Sequence, residues 1–365
     1  MSRAQELDRF VRKDLVSVQA YQSIAFPGSL PGDGRAANGE LVKLDGNVNV
    51  YGCSPRVQEA LNRYKEYHVY PEPDQGDLRN ALAGYTGIGS DHIVCGAGSD
   101  ELIDLLMRLV LETGDTVVSC PPTFGMYAGS ARLCGGRTID VPRSDKFQVQ
   151  VDAVIAAIEK TTKAIILASP NNPTGTPVQR SEIERLLGAG VLVIVDEAYY
   201  EFALRTVVGL VPEYENLIVL RTFSKWAGLA GLRVGYGIMA PELVQRLMAI
   251  KPPYNINAAA NVAALESLQD LDYLLGRVRA LVEERDRLYE CLQQIDYLKP
   301  VPSDANFILC RVAGHNAKQL QRWLRGQGVY IRHFDSLPEF VRISVGRPQH
   351  TDLLMTALKN WGKRS

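Results

Sequence analysis

A chain of 365 residues, 46% hydrophobic and 22% charged, can bury a sizeable core, sits near two domains by length and is too apolar for a disordered polymer. With 40 basic residues against 41 acidic ones, a formal net charge of −1, no global field recruits nucleic acid or an anionic membrane. Any anion site must be local.

The first residues, MSRAQELDRFVRKDLV, are amphipathic and carry acids, unlike a secretory signal or a transit peptide. No stretch approaches the roughly 18 uninterrupted apolar residues that span a bilayer. The six cysteines form no C-x-x-C pair and have no histidines at zinc spacing, so they read as reduced thiols of a cytoplasmic protein without a metal site. Residues 1–40 read as an N-terminal arm and part of a small domain, with the Gly/Pro-rich stretch 26–39 as the link.

Seven short β-branched runs follow, at residues 93–95, 116–119, 137–141, 164–168, 191–195, 217–220 and 234–238. Their near-continuous apolar character predicts strands buried on both faces, hence an α/β fold with a seven-stranded, mostly parallel sheet and helices on both faces. Residues 100–112 read as a helix apolar nearly all round, and 151–160 and 180–187 as amphipathic ones. From about residue 261 the texture turns to long charged helices, including 274–294. Beyond them, candidate strands at 306–311, 329–332 and 340–345 alternate with a helix at 317–326. The expected division is a large domain over 41–260 and a smaller α+β domain over 261–365.

The unusual polar segments follow the strands one after another. They are Gly98-Ser99-Asp100-Glu101, Cys120-Pro121-Pro122-Thr123-Phe124, Ser169-Pro170-Asn171-Asn172-Pro173-Thr174-Gly175, Asp196-Glu197-Ala198-Tyr199 and Arg221-Thr222-Phe223-Ser224-Lys225. In an open parallel sheet the ligand crevice lies outside the carboxyl ends of the strands, so the five segments converge on one site. Gly96-Ala97-Gly98-Ser99 offers backbone N–H groups at a helix start to an anion, or is a plain turn with Ser99 as cap. Glu101 stands where a dinucleotide fingerprint wants its third glycine, which disfavours a nicotinamide enzyme. Lys225, behind an apolar strand, suits an amine that loses its proton through burial and a nearby cation; Arg233 could supply that cation and clamp a phosphate. A surface lysine and a structural arginine are the plainer alternative. Asp196 ends an apolar run where a carboxylate needs a cationic partner or serves as a buried helix cap. Tyr199 and Asn172 could reach an aromatic oxygen on the same ligand. Phe124 could stack on its ring or belong to the core.

GSDE, CPPTFGMY, SPNNPTG, DEAYYEF and RTFSKWAGLAGLR, in this order, resemble the class I/II aminotransferases of fold type I, the histidinol-phosphate aminotransferase family most closely. The resemblance runs through nearly the whole chain. It implies pyridoxal 5'-phosphate held as a Schiff base on Lys225, Asp196 on the pyridinium nitrogen, Asn172 and Tyr199 on the ring oxygen and Phe124 on the ring face. Gly98, Ser99, Asp100, Thr222, Ser224 and Arg233 would surround the phosphate, Asp100 through its backbone N–H with its carboxylate capping the helix. Tyr70 matches a tyrosine that reaches this phosphate from a neighbouring subunit, implying a homodimer with shared sites. Arg342 matches the substrate-carboxylate arginine, Arg332 an arginine near the substrate phosphate, and Tyr21 a residue that closes over the substrate, with Asn172 also facing it.

The implied reaction moves an amino group from histidinol phosphate to 2-oxoglutarate by ping-pong kinetics. An aromatic-amino-acid aminotransferase, a threonine-phosphate decarboxylase and a non-catalytic cofactor-binding sensor are the competing readings. Three positions depart from the family pattern: Val48 in Asn47-Val48-Asn49-Val50 where N-E-N-P is frequent, Phe124 where tyrosine is common, and Trp226 in place of a small residue after the lysine. Val48 and Trp226 are expected near the active site and bear on substrate identity.

Overall fold

The structure, a computed structural model, describes residues 7–13, 15–16, 39 and 41–363. Tyr21 and residues 26–38 of the expected link lie outside the described residues. All seven expected runs are strands: β2 (Ile93–Gly96), β3 (Thr116–Ser119), β4 (Arg137–Asp140), β5 (Thr162–Ala168), β6 (Leu192–Asp196), β7 (Leu217–Thr222) and β8 (Gly235–Ile238), preceded by β1 (Val42–Leu44). They form one sheet in the order β2-β8-β7-β6-β5-β3-β4. Only β8 runs antiparallel to its neighbours, β2 and β7; the other pairings are parallel.

The period-2 alternation of a strand divides these residues between two cores. Val94, Val117, Ile166, Ile194 and Ile218 face one, where they meet the helix Ser99–Val110 through Leu102, Ile103, Leu106 and Met107. Cys95, Val118, Ile165, Val193 and Val219 face the other. Helices therefore cover both faces. The helix Ser99–Val110 is less uniformly apolar than its sequence suggested: Arg108 is exposed, and it pairs with Asp104 at 2.7 Å on the outer side.

A second sheet takes the order β1-β11-β12-β10-β9, with β9 (Leu298–Pro300), β10 (Phe307–Val312), β11 (Val329–Phe334) and β12 (Leu337–Ser344). β1 pairs parallel to β11, Val42 opposite Val329. The chain thus enters the smaller sheet directly after residue 41, where the sequence division began the larger domain; three residues carry too little pattern to declare their partner. The helices Leu271–Gln293 and Ala317–Gly326 correspond to the helices expected at 274–294 and 317–326, the first beginning earlier than its charge pattern suggests. The helix Pro55–Arg63 was missed, although Ser54 caps it and Pro55 opens it.

Register then brings the chemistry together. Ala168 lies opposite Asp196, and Asp196 opposite Leu220, so the carboxyl ends of β5, β6 and β7 are level. The segments that leave them share one rim, onto which β12 of the smaller sheet brings Arg342.

Candidate active site

A cavity of 260 Å³ opens at that rim, lined from the larger sheet by Ser99, Asp100, Phe124, Asn172, Asp196, Tyr199, Thr222, Ser224, Lys225 and Arg233, and from the smaller by Arg332 and Arg342. Twelve of the expected residues therefore meet in one place. Gly98 lies just behind them. Its φ of +85° is one that side chains rarely adopt, and a Cβ there would sit 2.4 Å from the Arg233 guanidinium.

One end of the cavity is built for an anion. The Thr222 hydroxyl donates to Ser224 Oγ at 3.0 Å, and Arg233 Nη1 donates to the same oxygen at 3.2 Å, beside the start of the helix Ser99–Val110. Arg233 sits in the left-handed region at φ 59°, a conformation that costs roughly 1–3 kcal/mol and is held here by its hydrogen bonds. Two hydroxyls, a guanidinium fork and a helix N-terminus make a cup for a phosphate ester. The Asp100 carboxylate does not cap its helix, as had been expected, but accepts from Arg233 Nη2 at 3.1 Å. An arginine across the cup outcompetes the local backbone for that charge. Glu101 takes the backbone instead, accepting from the Ala97 N–H at 2.6 Å.

At the floor, Asp196 is buried and its carboxylate accepts from the Tyr127 hydroxyl at 2.8 Å and from the Ala198 N–H at 3.0 Å. Burial pushes its pKa up to about 6, against the pull of those two donors. Both partners are neutral, so the site favours a further partner that is cationic. Tyr127 was not anticipated, since a tyrosine inside CPPTFGMY reads as core. Its ring also meets Phe124 edge-on at 5.6 Å.

Lys225 is half-buried, and desolvation of its amine lowers its pKa to about 8, with Arg342 the next influence and Arg233 a smaller one. The expected cation is thus chiefly Arg342, delivered by the other sheet, a placement that spacing along the chain cannot express. Arg342 is itself buried, donating to Asn172 Oδ1 at 2.5 Å and to the Asp45 carbonyl at 2.7 Å. Arg332 lies over the Phe334 ring at 5.5 Å in the same cavity wall.

Val48 lines the cavity as expected, but Trp226 does not. Fully buried, Trp226 stacks on Tyr85 at 5.7 Å and leans on Phe223, so it anchors the lysine segment from behind. The Asn49 amide donates to its carbonyl at 2.7 Å, and Gly228 presses so closely on Gly52 that a Cβ would lie 2.4 Å from that backbone. Below the same segment, Arg221 donates through Nε and Nη2 to Glu197 at 3.0 and 2.9 Å, both side chains buried. Removing either partner of such a pair costs about 3–5 kcal/mol. Tyr70 is outside the cavity: it is 76% exposed and stacks on Tyr254 at 4.4 Å.

Among the described residues no helix is long and apolar enough to cross a membrane, and no group of three or more His, Cys, Asp or Glu could hold a metal.

Comparison with known proteins gives a consistent result. The family model for aminotransferase class I and II matches residues 39–358. A histidinol-phosphate aminotransferase of Dehalococcoides mccartyi is 43% identical over 360 residues, covering 98% of this chain and 99% of that protein. One from Roseiflexus castenholzii is 48% identical over 330 residues, 87% of this chain and 89% of that protein. Among solved structures, the histidinol-phosphate aminotransferase of Sinorhizobium meliloti in complex with pyridoxal-5'-phosphate superposes with a TM-score of 0.80 at 28% identity, covering 89% of this chain and 90% of that one.

Proposed function

From the premise that the chain belongs to the class I and II aminotransferases, we propose that it moves an amino group from histidinol phosphate to 2-oxoglutarate, with pyridoxal phosphate joined to Lys225. One observation carries this reading: a half-buried lysine of lowered pKa lies between a phosphate cup, a buried carboxylate with neutral partners, and two arginines. Each part suits one part of the cofactor or substrate. The cup takes the cofactor phosphate, Asp196 the ring nitrogen, and Phe124 the ring face. Asn172 and Tyr199 take the ring oxygen; Arg342 bonds Asn172 through Oδ1, so the amide Nδ2–H remains the group to donate.

When bound, pyridoxal phosphate supplies an electron sink for the charge left as the substrate Cα proton departs. The Lys225 amine would hold the cofactor until the donor amine takes its place and, once free, would take up that Cα proton and return it to the cofactor carbon to which the lysine had been joined. Asp196 keeps the ring nitrogen protonated, which preserves the sink. Arg332 is assigned to the substrate phosphate and Arg342 to the carboxylate of 2-oxoglutarate, by planar two-point hydrogen bonding. Tyr21 is assigned to closure over the substrate from its motif alone.

Only an unprotonated amine attacks an aldehyde, so attachment of pyridoxal phosphate to the apoprotein is expected to accelerate as pH rises towards about 8 and to level off above it. Stopped-flow absorbance across that range measures this; a rate still climbing as for an ordinary lysine, well past 9, contradicts the burial argument.

A homodimer with shared sites, in which Tyr70 reaches the partner's phosphate cup, is part of this reading. Its support is that Tyr67, Val69 and Tyr70 are apolar, adjacent and exposed, away from the chain's own cavity. A division near residue 260, with β1 returning to the smaller unit, is supported by the two separate sheets. A cytoplasmic location fits six free cysteines.

The deciding experiment adds histidinol phosphate, phenylalanine, glutamate and threonine phosphate in parallel to the cofactor-loaded protein. The yellow absorption is expected to fall fastest with histidinol phosphate and to return with 2-oxoglutarate. A faster response to phenylalanine or threonine phosphate reassigns the substrate. The absence of any yellow band removes the cofactor reading.

A further inference from the structure

Asn47 lines the cavity but has no part in the scheme above. Its side chain is 2% exposed and its backbone is left-handed, at φ 53°, in the segment that follows β1. Asparagine tolerates that conformation better than most residues, yet the position still calls for support. Support comes from the smaller sheet. The Asn47 N–H donates to Ser344 Oγ at 2.9 Å, the Ser344 hydroxyl donates back to Asn47 Oδ1 at 2.7 Å, and the Asn306 amide donates to the Asn47 carbonyl at 3.1 Å. With Oδ1 so engaged, Nδ2 is directed at the larger sheet, where it donates to the Tyr199 phenol oxygen at 2.9 Å.

The direction of these bonds matters. Were the Asn47 amide turned over, Ser344 would lose the acceptor for its hydroxyl hydrogen, a loss of about 1–3 kcal/mol at a buried group. Ser344 therefore selects the orientation in which Asn47 is a donor to Tyr199. A phenol oxygen that accepts one hydrogen bond must spend its own hydrogen on a different acceptor.

We propose that Asn47, oriented by Ser344, is a positioning residue that makes Tyr199 an obligate hydrogen-bond donor toward the ring oxygen of bound pyridoxal phosphate. The assignment rests on the cofactor reading given above. It also ties the two sheets together at the reacting end: Ser344 is two residues from Arg342 on β12, so the strand that offers the substrate arginine also sets the polarity of Tyr199.

The test is Asn47→Asp, nearly isosteric but an acceptor where the amide was a donor, so that Tyr199 turns its hydrogen toward the new carboxylate. The readout is the pH midpoint of the visible absorption change of the cofactor-loaded protein, without substrate. A ring oxygen deprived of a donor holds negative charge less well, so the midpoint should move up, by about one pH unit. The charged groups around the cavity, Asp100, Asp196, Lys225, Arg233, Arg332 and Arg342, are unchanged in the variant.

Because the new carboxylate also acts through space, the same substitution is made in a Tyr199→Phe background. There its effect should shrink to less than half. Ser344→Ala adds no charge and should raise the midpoint in the same direction, and it serves alone if Asn47→Asp does not fold. An unmoved midpoint in a folded variant overturns the proposal, as does an equal shift with and without the Tyr199 hydroxyl. Wild-type protein lacking the visible band overturns the cofactor reading and this proposal with it; a normal wild-type titration with unresponsive variants overturns this proposal alone.

Discussion

Replacing Lys225 by alanine is expected to leave a folded protein whose amino transfer is lower by about 10⁴-fold or more, since both the point of attachment and the group that moves the Cα proton are gone. The two losses separate experimentally. Borohydride treatment followed by intact-mass measurement should add the cofactor to wild-type protein and nothing to Lys225→Ala. Added methylamine can stand in for the proton-moving amine and should return part of the rate, because the cup, Asp196 and the arginines are unaltered. Folding is not at risk: a desolvated ammonium is a burden on the fold, as its lowered pKa of about 8 expresses. Activity within tenfold of wild type would remove Lys225 from the reaction.

The second large effect concerns Asp196→Asn. Asparagine can still accept from the Ala198 N–H through Oδ1 and, with the Tyr127 hydroxyl turned over, donate from Nδ2 to the Tyr127 oxygen, so the floor keeps its shape while its charge is lost. Without that charge the ring nitrogen no longer holds its proton, and the rate is expected to fall by about 10²–10³-fold, the range for removal of one preorganised electrostatic contact. Stability should respond in the opposite sense. The folded-state pKa of Asp196, about 6, lies above its ordinary value of 3.8, so the group favours folding below pH 4, and that contribution is lost as pH rises through 6. At pH 7 the apoprotein carrying Asp196→Asn should therefore gain stability, by about 3 kcal/mol at most, with little change at pH 4. Chemical denaturation of both apoproteins at the two pH values measures this. Equal differences at both would mean that Asp196 is not held in an unfavourable charged state.

Much of this protein was legible along the chain. Runs such as AIILA and LVIVD are apolar on both alternating faces, which only a strand covered by helices on both sides can satisfy, so the seven-stranded sheet followed from local pattern. A parallel sheet sends the residues after its strands to a common rim, and that rule sufficed to gather Asn172, Asp196, Lys225 and Arg233. What tertiary structure decided were contacts between segments far apart in sequence. Arg342 lowering the Lys225 pKa, Tyr127 beneath Asp196, and Ser344 turning Asn47 toward Tyr199 all depend on how the second sheet and a neighbouring helix dock. β1 belonged to the smaller sheet because Val42–Leu44 found its hydrogen-bond partners on β11, nearly three hundred residues on. The Asp100 carboxylate left its own helix for Arg233, and Trp226 left the cavity for Tyr85. A side chain's local options are written in its neighbours along the chain; which option wins is set by charges and surfaces that only folding brings within a few ångströms.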